Sequence, residues 1–157
     1  MIFVILGTQK FQMDRLLKLV DELVATEKIS DCVFAQTGLT DYHPVNYPFE
    51  RFLDREDFDR LISEADTIIT HGGVSSVITA MKLGKPVIIC PRLAKYGENG
   101  DNHQQEIARA FARKGFVLCY EEGNDLGSLI ETCRSTKFTK YVSQTNNIVR
   151  IIKQFLA

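Results

Sequence analysis

The chain has 157 residues, of which 45% are hydrophobic and 25% charged, enough apolar material for the core of one ordinary domain without disulfides or metals. Its 19 basic and 20 acidic residues leave a formal net charge of -1, which excludes a global electrostatic pull towards nucleic acid or anionic membrane. No stretch approaches the roughly 20 apolar residues of a membrane span, and the opening run Met1 to Leu6 has strand length and no basic lead, so a cytoplasmic location is expected.

In chain order, residues 2–6 read as a buried strand. Phe11 to Val24 follow with Leu16, Leu17, Val20, Leu23 and Val24 at helical spacing. Cys32 to Ala35 form a second strand, residues 37–49 a Gly/Asp/Pro/Asn-rich loop, and Glu50 to Leu53 a third strand. Phe58, Leu61 and Ile62 suggest a short helix before the strand Thr67 to Thr70. That strand runs into His71-Gly72-Gly73 and a helix from Val74 to Leu83, which Gly84 ends in a left-handed cap. Pro86 to Cys90 is a strand, residues 93–101 a polar loop, and Asn102 to Lys114 a helix capped by Gly115. Phe116 to Tyr120 is the last strand, and residues 124–133 and 139–156 read as helices. Continuous apolar strands alternating with helices predict an α/β, Rossmann-like, doubly wound parallel sheet in one domain spanning residues 1–157. Cys32, Cys90, Cys119 and Cys133 form no C-x-x-C pair and are expected to be reduced and buried.

Ligands of such sheets bind beyond the carboxyl ends of the strands, and three loops at that edge have unusual composition. Gly7-Thr8-Gln9-Lys10 offers close backbone approach and side-chain hydrogen bonds, or is an ordinary strand-to-helix turn. In Thr70-His71-Gly72-Gly73-Val74-Ser75-Ser76, two glycines expose backbone N–H groups at a helix N-terminus and two serines add hydroxyls, a plausible diphosphate cradle. His71 reads either as a phosphate ligand and catalytic candidate or as a structural histidine bonded to backbone. The third loop carries Arg92 and then Asp101-Asn102-His103-Gln104-Gln105, more polar residues than a helix cap requires. Their amides and carboxylate suit the hydroxyls of a ribose or hexose. Three scattered histidines and no close acidic pair argue against a dedicated metal site. There is no G-x-S-x-G elbow, and cysteine nucleophiles would need exposed, activated thiols.

The stretch Thr70 to Val117, with His71-Gly72-Gly73, Gly84-Lys85-Pro86-Val87-Ile88-Ile89-Cys90-Pro91-Arg92 and Asp101-Asn102-His103-Gln104-Gln105, resembles the C-terminal domain of family 28 glycosyltransferases, above all stand-alone versions of it. These include bacterial capsule and exopolysaccharide subunits and the cytosolic subunit of the eukaryotic dolichol-linked N-acetylglucosamine transferase. The resemblance implies the C-terminal half of a GT-B enzyme that binds a UDP-sugar. No further cofactor and no essential metal is implied. It also implies a membrane-associated partner subunit that supplies the acceptor half of the cleft, transfer to a lipid-linked saccharide, and a place at the inner face of the membrane. In that picture Gly72, Gly73, Val74, Ser75 and Ser76 face the diphosphate, with Gly7, Thr8, Gln9 and Arg92 at the cleft. Asp101, Asn102, Gln104 and Gln105 line the donor side, the last three facing its sugar or ribose. Family members often carry an acid in the helix after the glycine turn, where Thr79 stands here. The chain contains no evident catalytic base. The Thr79 departure supports a non-catalytic nucleotide-sugar-binding or regulatory module as the alternative, and the apolar tail Ile148 to Leu156 reads as either a docking element for the partner or a helix on its own sheet.

Overall fold

The computed structural model describes residues 1–144 and Gln154. The elements placed among the described residues are six strands, β1 (Ile2–Ile5), β2 (Val33–Gln36), β3 (Phe49–Glu50), β4 (Thr67–Thr70), β5 (Val87–Ile89) and β6 (Leu118–Cys119), and five α-helices. The helices are α1 (Asp14–Ala25), α2 (Arg55–Glu64), α3 (Val74–Lys82), α4 (His103–Arg113) and α5 (Leu126–Ser135). The sheet has the order β3-β2-β1-β4-β5-β6 and every neighbouring pair is parallel.

Successive side chains of a strand point to opposite faces, and here both faces are covered. Ile2, Val4 and Leu6, with Ile69 and Ile88 of the neighbouring strands, pack against α1 and α5 through Leu16, Leu17, Val20, Leu126 and Ile130. Phe3, Ile5, Ile68 and Ile89 pack the other way, against Ile62 of α2, Val77 and Ala80 of α3 and Ala108 of α4. The double burial accounts for the unbroken apolar runs of β1, β4 and β5.

Three differences from the sequence expectations have local causes. The first helix starts at Asp14 rather than Phe11. The buried Arg92 guanidinium donates to the carbonyls of Leu6 and Phe11 at 2.9 and 3.3 Å, holding residues 6–11 outside a helix. The third strand is Phe49–Glu50 rather than Glu50 to Leu53: the Thr37 and Gly38 amides still donate to the Glu50 and Arg51 carbonyls at 2.9 and 2.8 Å, but at Gly38, with a φ of 59°, the β2 side turns out of the extended conformation and the ladder ends. Cys32 is exposed rather than buried, because it precedes β2; Cys90 and Cys133 are buried and Cys119 is half-buried. Residues 139–144 carry no helix, and the rest of the helix expected over 139–156 lies outside the described residues apart from Gln154.

The β2–β3 connection takes four of its hydrogen bonds from one carboxylate, with Gln12 and Asp14 adding further ones. Asp21 on α1 accepts from Tyr42 Oη at 2.6 Å, from the Val45 and Asn46 amides at 2.9 and 2.8 Å, and from Asn46 Nδ2 at 2.9 Å. Burial opposes its charge, but these hydrogen bonds outweigh burial and hold its pKa below the usual carboxylate value.

Candidate functional site at the sheet switch point

Strand order reverses between β1 and β4, where one half of the sheet grows towards β2 and β3 and the other towards β5 and β6. Crossovers leave a crevice at such a point, outside the carboxyl ends of the strands. A cavity of about 490 Å³ lies there. Gly7, Thr8 and Gln9 after β1 line it, with Gln36 at the end of β2 and His71, Gly73, Val74, Ser75, Ser76 and Thr79 after β4. A further wall comes from Leu53 to Arg55, Phe58 and Asp59, at the start of α2.

The floor of the cavity explains its glycines. His71 is 4% exposed, and its ring edge fits between the backbones of Gly7 and Gly73. A Cβ on Gly7 would lie 2.6 Å from His71 Nε2, and one on Gly73 would lie 2.6 Å from Cε1 and 2.8 Å from Nε2. Gly7 also has a φ of 70°, in the left-handed region, and Gly38 approaches so closely that its Cβ would meet the Gly7 carbonyl at 2.5 Å. Burial, and then the nearby Arg92 cation, lower the His71 pKa to about 4, against a weaker opposing effect of the Gln104 side chain. The imidazole is therefore neutral at pH 7, with an Nδ1 that has no hydrogen-bond partner among the described residues.

Two helices begin at this cavity, and their N-termini differ. Helix α2 is closed by its own side chains: Asp54 Oδ1 accepts from the Asp57 amide at 2.8 Å, and Glu56 and Asp57 occupy the first turn. Helix α3 follows its N-cap Gly73 with no side-chain cap and no acid in its first turn. Its free N–H groups and positive dipole end face the cavity, the requirement for binding an anion.

The third loop predicted for the site stands apart from this cavity. Arg92 is 1% exposed and turned inwards, with Nε and one terminal nitrogen lacking partners among the described residues. Gln104 Oε1 accepts from the Arg92 amide at 3.1 Å, Asn102 Oδ1 from the Ala94 amide at 3.0 Å and Asp101 Oδ1 from the His103 amide at 3.0 Å. Gln105 Nε2 approaches Glu121, which Arg109 holds at 2.7 and 2.8 Å. The crowding of polar residues at the start of α4 is thus largely loop bracing. The segment still adjoins the glycine turn, since a Cβ on Gly72 would come within 3.5 Å of Gln104 Cβ. A second brace, Arg15 to the buried Glu98 at 2.8 and 2.9 Å, ties the same loop to α1.

Sequence reasoning missed Gln36, Leu53, Asp54, Arg55, Phe58 and Asp59 as cavity residues. The available signal was positional: β2 and β3 end at the same edge as β1 and β4. Among the described residues, no group of three or more histidines, cysteines or acids is placed to hold a metal.

The family model for the glycosyltransferase family 28 C-terminal domain matches residues 1–155. The chain belongs to this family. The UDP-N-acetylglucosamine–N-acetylmuramyl-(pentapeptide) pyrophosphoryl-undecaprenol N-acetylglucosamine transferase of Desulfotalea psychrophila is 34% identical over 67 residues, covering 43% of this chain and 17% of that protein. The UDP-N-acetylglucosamine transferase subunit ALG13 of Candida albicans is 27% identical over 93 residues, 59% of this chain and 30% of the relative. The chain thus spans less than a third of either relative. The solution structure of an ALG13 superimposes with a TM-score of 0.59 at 19% identity, over 96% of this chain and 93% of that one, a likeness of fold. The family-28 architecture seen here is that of the C-terminal half of GT-B glycosyltransferases.

Proposed function

We propose that this family-28 domain binds a UDP-sugar, UDP-N-acetylglucosamine before others, at the β1/β4 crevice. The sugar passes to a lipid-linked saccharide acceptor carried by a membrane-associated partner subunit. The observation that carries the reading is the uncapped N-terminus of α3 over a glycine-walled cavity at the switch point. The sugar identity follows the names of the relatives, both N-acetylglucosamine transferases; neither is a capsule or exopolysaccharide enzyme, so that narrower role has no support from them. Among the described residues no helix is long and apolar enough to cross a membrane. A position at the inner membrane face accordingly rests on the partner.

When the glycosidic bond breaks, negative charge develops on the departing UDP. Backbone N–H groups of Gly73, Val74 and Ser75 and the hydroxyls of Ser75 and Ser76 are assigned to that charge, each well-placed donor contributing about 3 kcal/mol. Neutral His71 sits beneath the diphosphate as a hydrogen-bonding group. The sugar lies towards Gly72 and the edge formed by Asp101, Asn102, Gln104 and Gln105. Thr8 and Gln9 flank the cleft, and buried Arg92 positions the loop between them. The base that accepts the acceptor's proton is assigned to the partner, which also shields the reacting carbon from water. The donor is the only small molecule this reading requires.

A Gly73→Val substitution forces the His71 ring out of its place. UDP binding by the variant and transfer by the reconstituted pair should both fall below detection while far-UV dichroism is retained. Wild-type transfer by the variant pair would refute the cradle assignment. Binding without transfer, in wild-type protein assayed with its partner, would instead favour a non-catalytic module.

A further inference from the structure

We infer that Glu98 is a positioning residue for the donor sugar, setting Asn102 and Gln104 through the loop between β5 and α4; the inference rests on the donor-site reading above. Three consecutive amides of that loop are met by three side chains. The Arg92 amide donates to Gln104 Oε1 at 3.1 Å, the Leu93 amide to Glu98 Oε2 at 3.0 Å and the Ala94 amide to Asn102 Oδ1 at 3.0 Å. A backbone N–H can meet only the oxygen end of a side-chain amide. The placement of this peptide run therefore decides which way Asn102 and Gln104 present their NH2 donors, and Gln104 is the side chain packed against the Gly72 turn.

Glu98 holds the middle of the run and joins it to the body of the domain. It is 3% exposed, between exposed Gly97 and half-buried Asn99. Burying a carboxylate in a surface loop is unfavourable unless specific partners meet it. Here Arg15 of α1 donates to both its oxygens, from Nε at 2.9 Å and from Nη2 at 2.8 Å, and Nη2 also donates to the Pro91 carbonyl at 3.2 Å. The Arg15 guanidinium stacks on the Tyr96 ring, 5.0 Å from its centroid. The other cation nearby, buried Arg92, is engaged instead with the Leu6 and Phe11 carbonyls. The Arg15 fork thus fixes Glu98, Glu98 fixes Leu93, and the two flanking amides hold Gln104 and Asn102. None of these hydrogen bonds reaches Gly73 or α3. The brace therefore bears on the sugar side of the donor and leaves the diphosphate side alone.

The test is calorimetric titration of the full chain with UDP and with UDP-N-acetylglucosamine, in wild type and Glu98→Gln. The substitution keeps the shape of the side chain and removes the charge that Arg15 and the Leu93 amide share. The sugar nucleotide should bind the variant on the order of tenfold more weakly, with UDP within about twofold of wild type. A role in stability alone would move both ligands together or neither. Should Glu98→Gln fail to fold, Arg15→Lys, which keeps the cation but not the fork, takes its place with the same expectation. Equal weakening of both ligands, or no change in either, overturns the inference and leaves the donor site standing. Wild-type binding of UDP but not of the sugar nucleotide overturns the placement of the sugar and the inference with it. Wild-type protein that binds neither nucleotide overturns the donor-site reading as a whole.

Discussion

At the scale of the residue, the imidazole of His71 is the part of the site most sensitive to its surroundings. It occupies the gap left by two missing Cβ atoms and lies under the positive field of Arg92. With a folded pKa of about 4 against an unfolded value of 6.5, the unfolded chain binds the extra proton first. The stabilisation from keeping His71 neutral is complete above pH 6.5 and is lost progressively as the pH falls to about 4. The expected loss over that window is about 3 kcal/mol. Urea titrations of the wild type and His71→Asn at pH 7 and pH 4.5 should show a smaller acid penalty in the variant. Equal penalties would place the proton elsewhere. Glycine at 7 and 73 was legible in the sequence, but its reason was not: the ring that fills the space comes from a neighbouring strand in one case and from two residues away in the other.

At the scale of the element, the contrast between the two helix N-termini separates stability from binding. Asp54 caps α2, and Asp54→Ala should cost about 1 kcal/mol of unfolding free energy. No side chain caps α3, so Ser75→Ala should leave thermal stability within about 0.5 kcal/mol of wild type. The same Ser75 variant should bind UDP several-fold more weakly, having lost a donor to phosphate. If Ser75→Ala unfolds at markedly lower temperature with UDP affinity unchanged, the serine is structural. The strand–glycine–helix junction at residues 67–82 and the start of α4 were readable from local pattern. The engagements of Asn102, Gln104 and Gln105 were not, because Ala94, Arg92 and Glu121 lie 8 to 16 residues from them along the chain.

At the scale of the molecule, one sheet separates two hydrophobic layers. Ile130 of α5 belongs to the first and Ile62 of α2 to the second, each fully buried. Ile130→Val and Ile62→Val should each cost about 0.5–1.5 kcal/mol. Because the sheet stands between them, the double variant should match the sum within about 0.5 kcal/mol. A larger discrepancy in calorimetric unfolding would mean that the layers communicate through the sheet.

The 3-10 turn Ala94–Tyr96 inside the stretch read as a loop was missed, but local sequence was enough for the parallel α/β class, the approximate place of each strand and α-helix through residue 135, the glycine turn at the end of β4 and the family. Each of these depends on side-chain periodicity, on backbone freedom at glycine or on short local strings, all of which are properties of neighbours along the chain. The remainder depended on the packing of distant segments. It put β1 beside β4, so that Gly7 and Gly73 enclose His71, and it turned Arg92 inwards beneath residues 6–11. It also brought the opening turn of α2, with Asp59, against α3 as a wall of the same cavity. Those are contacts between segments tens of residues apart, set by how two hydrophobic layers close on a shared sheet rather than by any pattern within one segment.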